Sequence, residues 1–162
     1  MLRIAHAPVA GSTGHDTAYA LLTKLYTEET GAKCPEIIRT PGQKPRFCEG
    51  NLHFSVSHTD HFAFCALSDR PVGIDAEELT RRVKPALAEK ILSPGEYARY
   101  EACPDKNEAL LRFWVLKEAM AKFTGEGLRG YPNKTDFRPD DPRIQVLSDC
   151  LVAVIQEESH VI

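Results

Sequence analysis

The chain has 162 residues, a net charge of −3, 43% hydrophobic and 27% charged residues, which is typical of one globular domain or two small lobes. This charge gives no reason to expect a nucleic-acid partner. No apolar run is long enough to span a membrane, and residues 1–14 lack the pattern of a signal peptide. Five widely spaced cysteines without a Cys-x-x-Cys pair favour free thiols, so we expect a cytoplasmic protein.

Alternating apolar and polar residues predict several short strands. These strands cover residues 2–7, 52–57, 62–67, 72–77, 144–147 and 151–156. The second and third are separated by a short turn and predict a hairpin, as do the last two. The strand over residues 72–77 follows the first hairpin closely, so we expect it to complete a three-stranded antiparallel meander.

Capping residues and apolar residues at helical spacing predict four helices. Their expected starts are Asp16, Thr80, Ser93 and Asp105. The first is expected to end at Gly31 and the last at Gly125, because glycine is the usual residue directly after a helix. Together the elements predict an α+β fold in which an antiparallel sheet packs against helices.

The strand over residues 72–77 carries two acidic residues on one face. Asp75 and Glu77 alternate with apolar residues, so their Cα atoms lie roughly 6.5 to 7 Å apart on the same side. Like charges at that distance raise each other's pKa unless a cation lies between them, and Mg²⁺ favours such oxygen ligands. The alternative is that both residues form the solvent-exposed face of an antiparallel strand.

The last predicted helix carries a mixed stripe. Trp114, Glu118 and Lys122 are spaced four residues apart, so they lie along one side of an apolar helix. A carboxylate and an ammonium in such surroundings indicate a site for phosphate chemistry. Glu118 and Lys122 could equally be an ordinary surface ion pair.

Other charged residues lie near predicted strand ends and turns. His58 follows Ser57 at the end of a strand, where its ring could contact an anion or make a structural hydrogen bond. Lys44 precedes a proline in a turn and could bind phosphate or simply be solvated. A basic cluster follows the acidic strand: Arg81, Arg82 and Lys84. This cluster is either a solvated helix start or a docking surface for an acidic protein.

Four segments occur in an order that resembles a known family. They are residues 43–45 (Gln-Lys-Pro), 54–59 (Phe-Ser-Val-Ser-His-Thr), 72–77 (Val-Gly-Ile-Asp-Ala-Glu) and 114–128, which begins Trp-Val-Leu-Lys-Glu-Ala-Met-Ala-Lys. The pairing of the last two is specific, although neither would be alone. On these motifs the chain resembles the 4′-phosphopantetheinyl transferases of the surfactin-synthetase type.

The resemblance implies a fold and an activity. The fold would be that of the 4′-phosphopantetheinyl transferases, with an abbreviated first lobe over residues 1–50 and a full lobe over residues 51–162 that carries the metal and catalytic motifs. The family transfers the phosphopantetheine arm of coenzyme A to a serine of an acyl or peptidyl carrier protein and releases 3′,5′-ADP.

The resemblance also implies residue roles. Asp75, Glu77 and Glu118 would bind Mg²⁺, and Lys122 would stabilise the transferring phosphate. Glu118 would also act as general base, either directly or through a metal-bound water. Contacts to the phosphates of coenzyme A are implied for Lys44, Ser57, His58 and Lys117. The basic cluster would dock the carrier, because carrier proteins are typically acidic.

Two other functions remain open at this stage. The abbreviated first lobe suggests a non-catalytic module that binds a carrier protein or coenzyme A. A Mg²⁺-dependent phosphodiesterase would use the same carboxylates with water as the acceptor.

One departure from the family concerns Ser55, which stands where family members often have asparagine.

Overall fold

The computed structural model describes residues 1–127 and 134–158, so Leu128 at the end of the last motif lies outside them. The elements follow in the order β1 (Leu2–Pro8), α1 (Gly14–Thr30), β2 (Ile37–Ile38), β3 (Arg46–Phe47), β4 (His53–His58), β5 (Phe62–Ser68), β6 (Val72–Glu78), α2 (Ala86–Ile91), α3 (Pro94–Ala102), α4 (Lys106–Thr124), β7 (Ile144–Leu147) and β8 (Cys150–Gln156). This mixture of helices and antiparallel strands confirms the predicted α+β class.

The strands of the described residues form antiparallel sheets with the orders β1-β5-β4, β2-β3 and β6-β8-β7. The predicted hairpins β4-β5 and β7-β8 are confirmed. The predicted meander is wrong, because β6 pairs with β8 rather than with β5. The lobe division after residue 50 stays a prediction, and the first sheet crosses it, since β1 lies before residue 50 and both β4 and β5 lie after it.

The two larger sheets pack face to face between helices. Phe64 of β5, Ile74 of β6 and Val152 of β8 belong to one apolar cluster between the sheets. The opposite face of β5 packs under α1, and the opposite face of β8 packs under α4. Since β5 and β8 are covered on both faces, their sequences are nearly continuous apolar runs.

The helix boundaries follow local capping chemistry. α4 begins after Asp105, whose side chain accepts the Glu108 backbone N–H and caps the helix as predicted. The predicted glycine ends of α1 and α4 are confirmed. Asp16 does not cap α1, because Thr13 does and Asp16 lies in the first turn. α2 starts at Ala86, later than predicted, since the proline before it disfavours helical backbone at the preceding residue. No helix in the described ranges has the length and hydropathy needed to cross a membrane.

The contact between β6 and α4 depends on Gly73. A Cβ atom at this position would lie 2.1 Å from the Ala119 carbonyl oxygen and 2.5 Å from the Phe123 backbone nitrogen. Both atoms belong to helix backbone, which cannot move aside as a flexible side chain can. The glycine therefore allows the two motif-bearing elements to lie in direct backbone contact.

We expect Gly73→Ala to lower the free energy of unfolding by about 1 to 3 kcal/mol or more, because overpacking a core usually has an effect of this size. The matched control is Gly95→Ala in α3, where the added Cβ would lie 3.4 Å from a side-chain oxygen of Asp136. The control should change stability by no more than about 1 kcal/mol. Urea unfolding measures both, and equal stability of the two variants would contradict the close contact.

Candidate active site

The stripe on α4 faces the acidic side of β6. The Trp114 indole Nε1 donates a hydrogen bond to Glu77 at 3.0 Å, and Lys122 Nζ lies 2.9 Å from Asp75 Oδ1. Both contacts join residues of the two predicted motifs. The structure therefore brings the acidic strand and the helix stripe together along one line.

Asp75 is the most buried carboxylate of the site, with 7% of its surface exposed. Its Oδ1 accepts hydrogen bonds from Lys122 and from Ser57 Oγ, the latter at 3.2 Å. Its Oδ2 is buried and has no hydrogen-bond partner in the described part of the chain. Burial raises the pKa of this carboxyl, while the charge of Lys122 opposes the shift. A buried carboxylate oxygen without a partner indicates that a further group binds there.

Glu118 is half-buried beside these groups. Burial, with the negative charge of Asp75, raises the pKa of Glu118 from 4.5 to about 7, and Lys122 partly opposes the rise. A carboxyl group with a pKa near neutrality can both accept and release a proton at physiological pH. Glu118 therefore has the acidity that a general base requires.

Lys122 connects three elements. Its ammonium group donates to the carbonyl oxygens of Val56 at 3.1 Å and Ile74 at 3.0 Å, in addition to Asp75. These three acceptors match the three N–H bonds of an ammonium group. Lys122 thus joins α4, β4 and β6, and its predicted contact with phosphate would require exchange of one of these acceptors.

A cleft with a volume of about 850 Å³ contains Glu118 and Lys122. Aromatic side chains of Tyr19 and Phe54 also line it, together with Lys44. Lys44 donates to the Val72 carbonyl oxygen. Burial and the nearby charge of Lys122 lower the pKa of Lys44 to about 8. The structure therefore places Lys44 in the same cleft as Glu118 and Lys122, and its contact with the phosphates of coenzyme A stays a prediction.

The side chains of Ser57 and His58, at the end of β4, lie in different surroundings. The hydroxyl of Ser57 points inward and bonds Asp75 and the Ala76 backbone N–H. His58 is exposed and packs against Gly14 at the start of α1, where a Cβ atom would lie 2.5 Å from its Nδ1. It lines a second cleft of about 500 Å³ rather than the cleft that contains Lys44.

Lys117 does not line either cleft. It precedes Glu118 by one residue, which turns its side chain about 100° around the helix. Its buried ammonium lies 2.7 Å from Glu96 Oε1 and 2.5 Å from Thr135 Oγ1. Burial lowers its pKa while Glu96 opposes the shift. Lys117 is therefore not among the residues that we propose to bind coenzyme A, because its ammonium group pairs with Glu96 and joins α4 to α3.

The basic cluster lies at the edge of the site. Arg81, Arg82 and Lys84 are all exposed. Arg81 forms an ion pair with Glu77 and lines the second cleft with His58. The cluster is thus a positively charged surface directly beside the acidic groups.

Sequence reasoning missed several contacts of the site. Ser55 and Ser57 accept backbone N–H groups of β6, and Glu96 is fully buried opposite Lys117. The pattern of Ser93 followed by Glu96 gave the helix start, which the structure has as a capping box. It gave no sign that the same carboxylate would also pair with α4.

The described residues contain no arrangement of three or more His, Cys, Asp or Glu side chains that forms a metal-binding group by itself. Within the same described residues, however, one buried oxygen of Asp75 has no hydrogen-bond partner, and the charges of Asp75 and Glu77 act on Glu118. Oxygen donors of this type suit Mg²⁺, which also takes water and phosphate oxygens as ligands. The residues therefore fit a magnesium ion bound together with a phosphate-bearing ligand.

Known proteins place the chain in a family. A family model described as the 4′-phosphopantetheinyl transferase superfamily matches residues 71–157, which run from the start of β6 to the end of β8. This range contains Asp75, Glu77, Glu118 and Lys122. Since it covers more than half of the 162 residues, the chain belongs to the 4′-phosphopantetheinyl transferase superfamily.

Individual relatives agree with the family. The chain is 39% identical over 88 residues to 4′-phosphopantetheinyl transferase HetI of Nostoc sp., covering 51% of this chain and 37% of the relative. It is 35% identical over 112 residues to the transferase psf-1 of Bacillus pumilus, covering 68% and 44%. With Sfp of Bacillus subtilis it shares 35% over 81 residues, covering 48% and 35%. The chain spans less than half the length of these relatives.

The raised pKa of Glu118 predicts how stability depends on pH. A carboxyl group whose pKa is higher in the folded state binds more protons when folded, so the free energy of unfolding falls as pH rises from about 4.5 to about 7. Glu118→Gln removes this titration. The variant should therefore gain stability relative to the wild type across that window and keep a constant difference above it.

Urea unfolding between pH 4 and 8, with a chelator present, measures this difference. The wild type and Glu118→Gln are compared at each pH, so titrations that both proteins share cancel. A stability difference that does not change with pH would contradict the raised pKa.

Proposed function

We propose that the protein transfers the 4′-phosphopantetheine group of coenzyme A to a serine of an acyl or peptidyl carrier protein, with release of 3′,5′-ADP. The observation that carries the proposal is the position of Glu118 at a large cleft together with Lys122, which pairs with Asp75. Burial, with the charge of Asp75, also raises the pKa of Glu118 to about 7. Membership of the transferase superfamily supports the same chemistry.

In the proposed mechanism Glu118 accepts the proton of the carrier serine as the hydroxyl oxygen attacks the phosphorus that bears pantetheine. The new bond joins the serine oxygen to that phosphorus. The bond that breaks is the one between the same phosphorus and the bridging oxygen, which leaves with 3′,5′-ADP. Phosphoryl transfer of this kind depends mainly on positioning and charge stabilisation.

Asp75, Glu77 and Glu118 would hold Mg²⁺. The ion supplies positive charge against the phosphate oxygens. Lys122 neutralises part of the negative charge of Asp75, so that a deprotonated carboxylate can persist in a buried position. The support for this arrangement is the buried Oδ2 of Asp75, which has no hydrogen-bond partner among the residues that the structure describes.

Coenzyme A would bind across the two clefts. The larger one offers the aromatic walls of Tyr19 and Phe54 with the ammonium of Lys44, and the second offers the ring of His58. Ser57 was predicted from the motif to contact phosphate, but its hydroxyl is bonded within the protein. We keep Lys44, His58 and Lys122 as the proposed contacts to coenzyme A.

The proposed site agrees with the other expectations for the chain. An abbreviated first lobe before residue 51 would still contribute Lys44. The described cysteines are free thiols, which supports a cytoplasmic location. Acidic carrier proteins would dock on the basic cluster, because opposite charges speed encounter.

The direct test incubates the protein with coenzyme A, Mg²⁺ and several apo carrier proteins. We expect the carrier to gain the mass of phosphopantetheine, with one 3′,5′-ADP released for each transfer. Glu118→Gln should lower the rate by about 10² to 10⁴, because a general base contributes that much. Glu108→Gln, on the exposed start of the same helix, is the matched control and should keep the rate.

Two outcomes would contradict the proposal. Binding of coenzyme A or carrier without release of 3′,5′-ADP would favour a non-catalytic module. Hydrolysis of phosphate esters without transfer to any carrier would favour a phosphodiesterase.

Charge reversal in the basic cluster tests the docking surface. Lys84→Glu should lower kcat/KM for the carrier several-fold at low salt, and the loss should shrink as ionic strength rises. Lys33→Glu makes the same charge change at another exposed lysine and should have a small effect. Equal losses in the two variants would contradict docking at this cluster.

A further inference from the structure

Strands β4 and β6 belong to different sheets, yet side chains join them. Ser55 Oγ accepts the Ile74 backbone N–H at 3.1 Å, and Ser57 Oγ accepts the Ala76 backbone N–H at 3.2 Å. Both serines are buried. Their hydroxyl groups satisfy two N–H groups on β6 that would otherwise be buried without an acceptor.

The two serines differ in one respect. Ser57 also donates its hydroxyl hydrogen to Asp75 Oδ1 at 3.2 Å. A serine hydroxyl has one hydrogen to donate, so this hydrogen is used within the protein. Ser55 has the same kind of contact to the β6 backbone, and it contacts no carboxylate within residues 1–127 and 134–158.

The contact from Ser57 determines which oxygen of Asp75 is free. Oδ1 receives two donors, Ser57 from β4 and Lys122 from α4. Oδ2 receives none among the described residues. Two donors on a single oxygen fix the rotation of the carboxylate and leave the other oxygen for a ligand.

We propose that Ser57 is a positioning residue that holds Asp75 with Oδ2 turned toward a divalent cation. This proposal rests on the proposed function, because the cation is the one that the transferase would use. It gives Ser57 a different role from the phosphate contact predicted by the motif. Partners that orient a metal ligand typically contribute about 10-fold to 100-fold to metal affinity.

The test compares Ser57→Ala with Ser55→Ala. Each variant leaves one backbone N–H of β6 without its acceptor, so both should lower the urea midpoint to a similar extent. Only Ser57→Ala also removes a donor from Asp75. With Mn²⁺ as the probe in electron paramagnetic resonance titrations, we expect about tenfold or greater weakening in Ser57→Ala and less than twofold in Ser55→Ala.

A second pair removes the concern that an alanine variant fails to fold. Ser57→Thr keeps the hydroxyl group. Ser57→Val lacks it, although valine has nearly the same shape as threonine. We expect Mn²⁺ affinity to be higher in Ser57→Thr than in Ser57→Val by about tenfold. Equal affinities in this pair would overturn the positioning role.

The outcomes separate this inference from the proposed function. Equal Mn²⁺ affinity in Ser57→Ala and Ser55→Ala, with transfer activity present in the wild type, would overturn the positioning role alone. A raised KM for coenzyme A in Ser57→Ala with unchanged Mn²⁺ affinity would also overturn it and restore the phosphate contact. A wild type that neither binds Mn²⁺ nor transfers phosphopantetheine would overturn both proposals.

Discussion

The backbone contact at Gly73 determines how the site is assembled. With no side chain at this position, α4 lies directly on β6, where a Cβ atom would be 2.1 Å from the Ala119 carbonyl oxygen. The contact fixes the helix so that Trp114 reaches Glu77 and Lys122 reaches Asp75. The glycine and the charged residues of the two motifs therefore form one structural unit, and the family model covers both elements of it.

In this unit the acidic groups outnumber the basic groups that pair with them. The two strand carboxylates and Glu118 carry three potential negative charges. They face two positive charges, that of Lys122, which pairs with Asp75, and that of Arg81, which pairs with Glu77. Burial, with the negative charge of Asp75, raises the pKa of Glu118 to about 7. In our proposal a cation completes the balance, and Ser57 keeps an oxygen of Asp75 available for it. Positioning and charge would then supply most of the catalysis.

Local patterns were sufficient to predict much of the fold and the site. Alternation of apolar and polar residues predicted the strands, and capping residues predicted the start of α4. The spacing of four residues predicted that Trp114, Glu118 and Lys122 lie on one side of the helix. The pairing of β6 with β8 could not be predicted, because it joins strands far apart in the sequence. Side-chain partners such as Ser57 with Asp75 depend on how two sheets meet. The partner of Lys117 could not be predicted either. Lys117 is next to Glu118 in the sequence, but its side chain pairs with Glu96 of α3.

Packing of α4 on β6 leaves the carboxyl group of Glu118 half protonated near neutrality, and we propose that this group is the general base. The most direct measurement is the pH titration of the Glu118 carboxyl carbon by ¹³C nuclear magnetic resonance, with the signal assigned by its loss in Glu118→Gln. The structure predicts a midpoint at about pH 7. A midpoint near the ordinary glutamate value of about 4.3 would contradict the account.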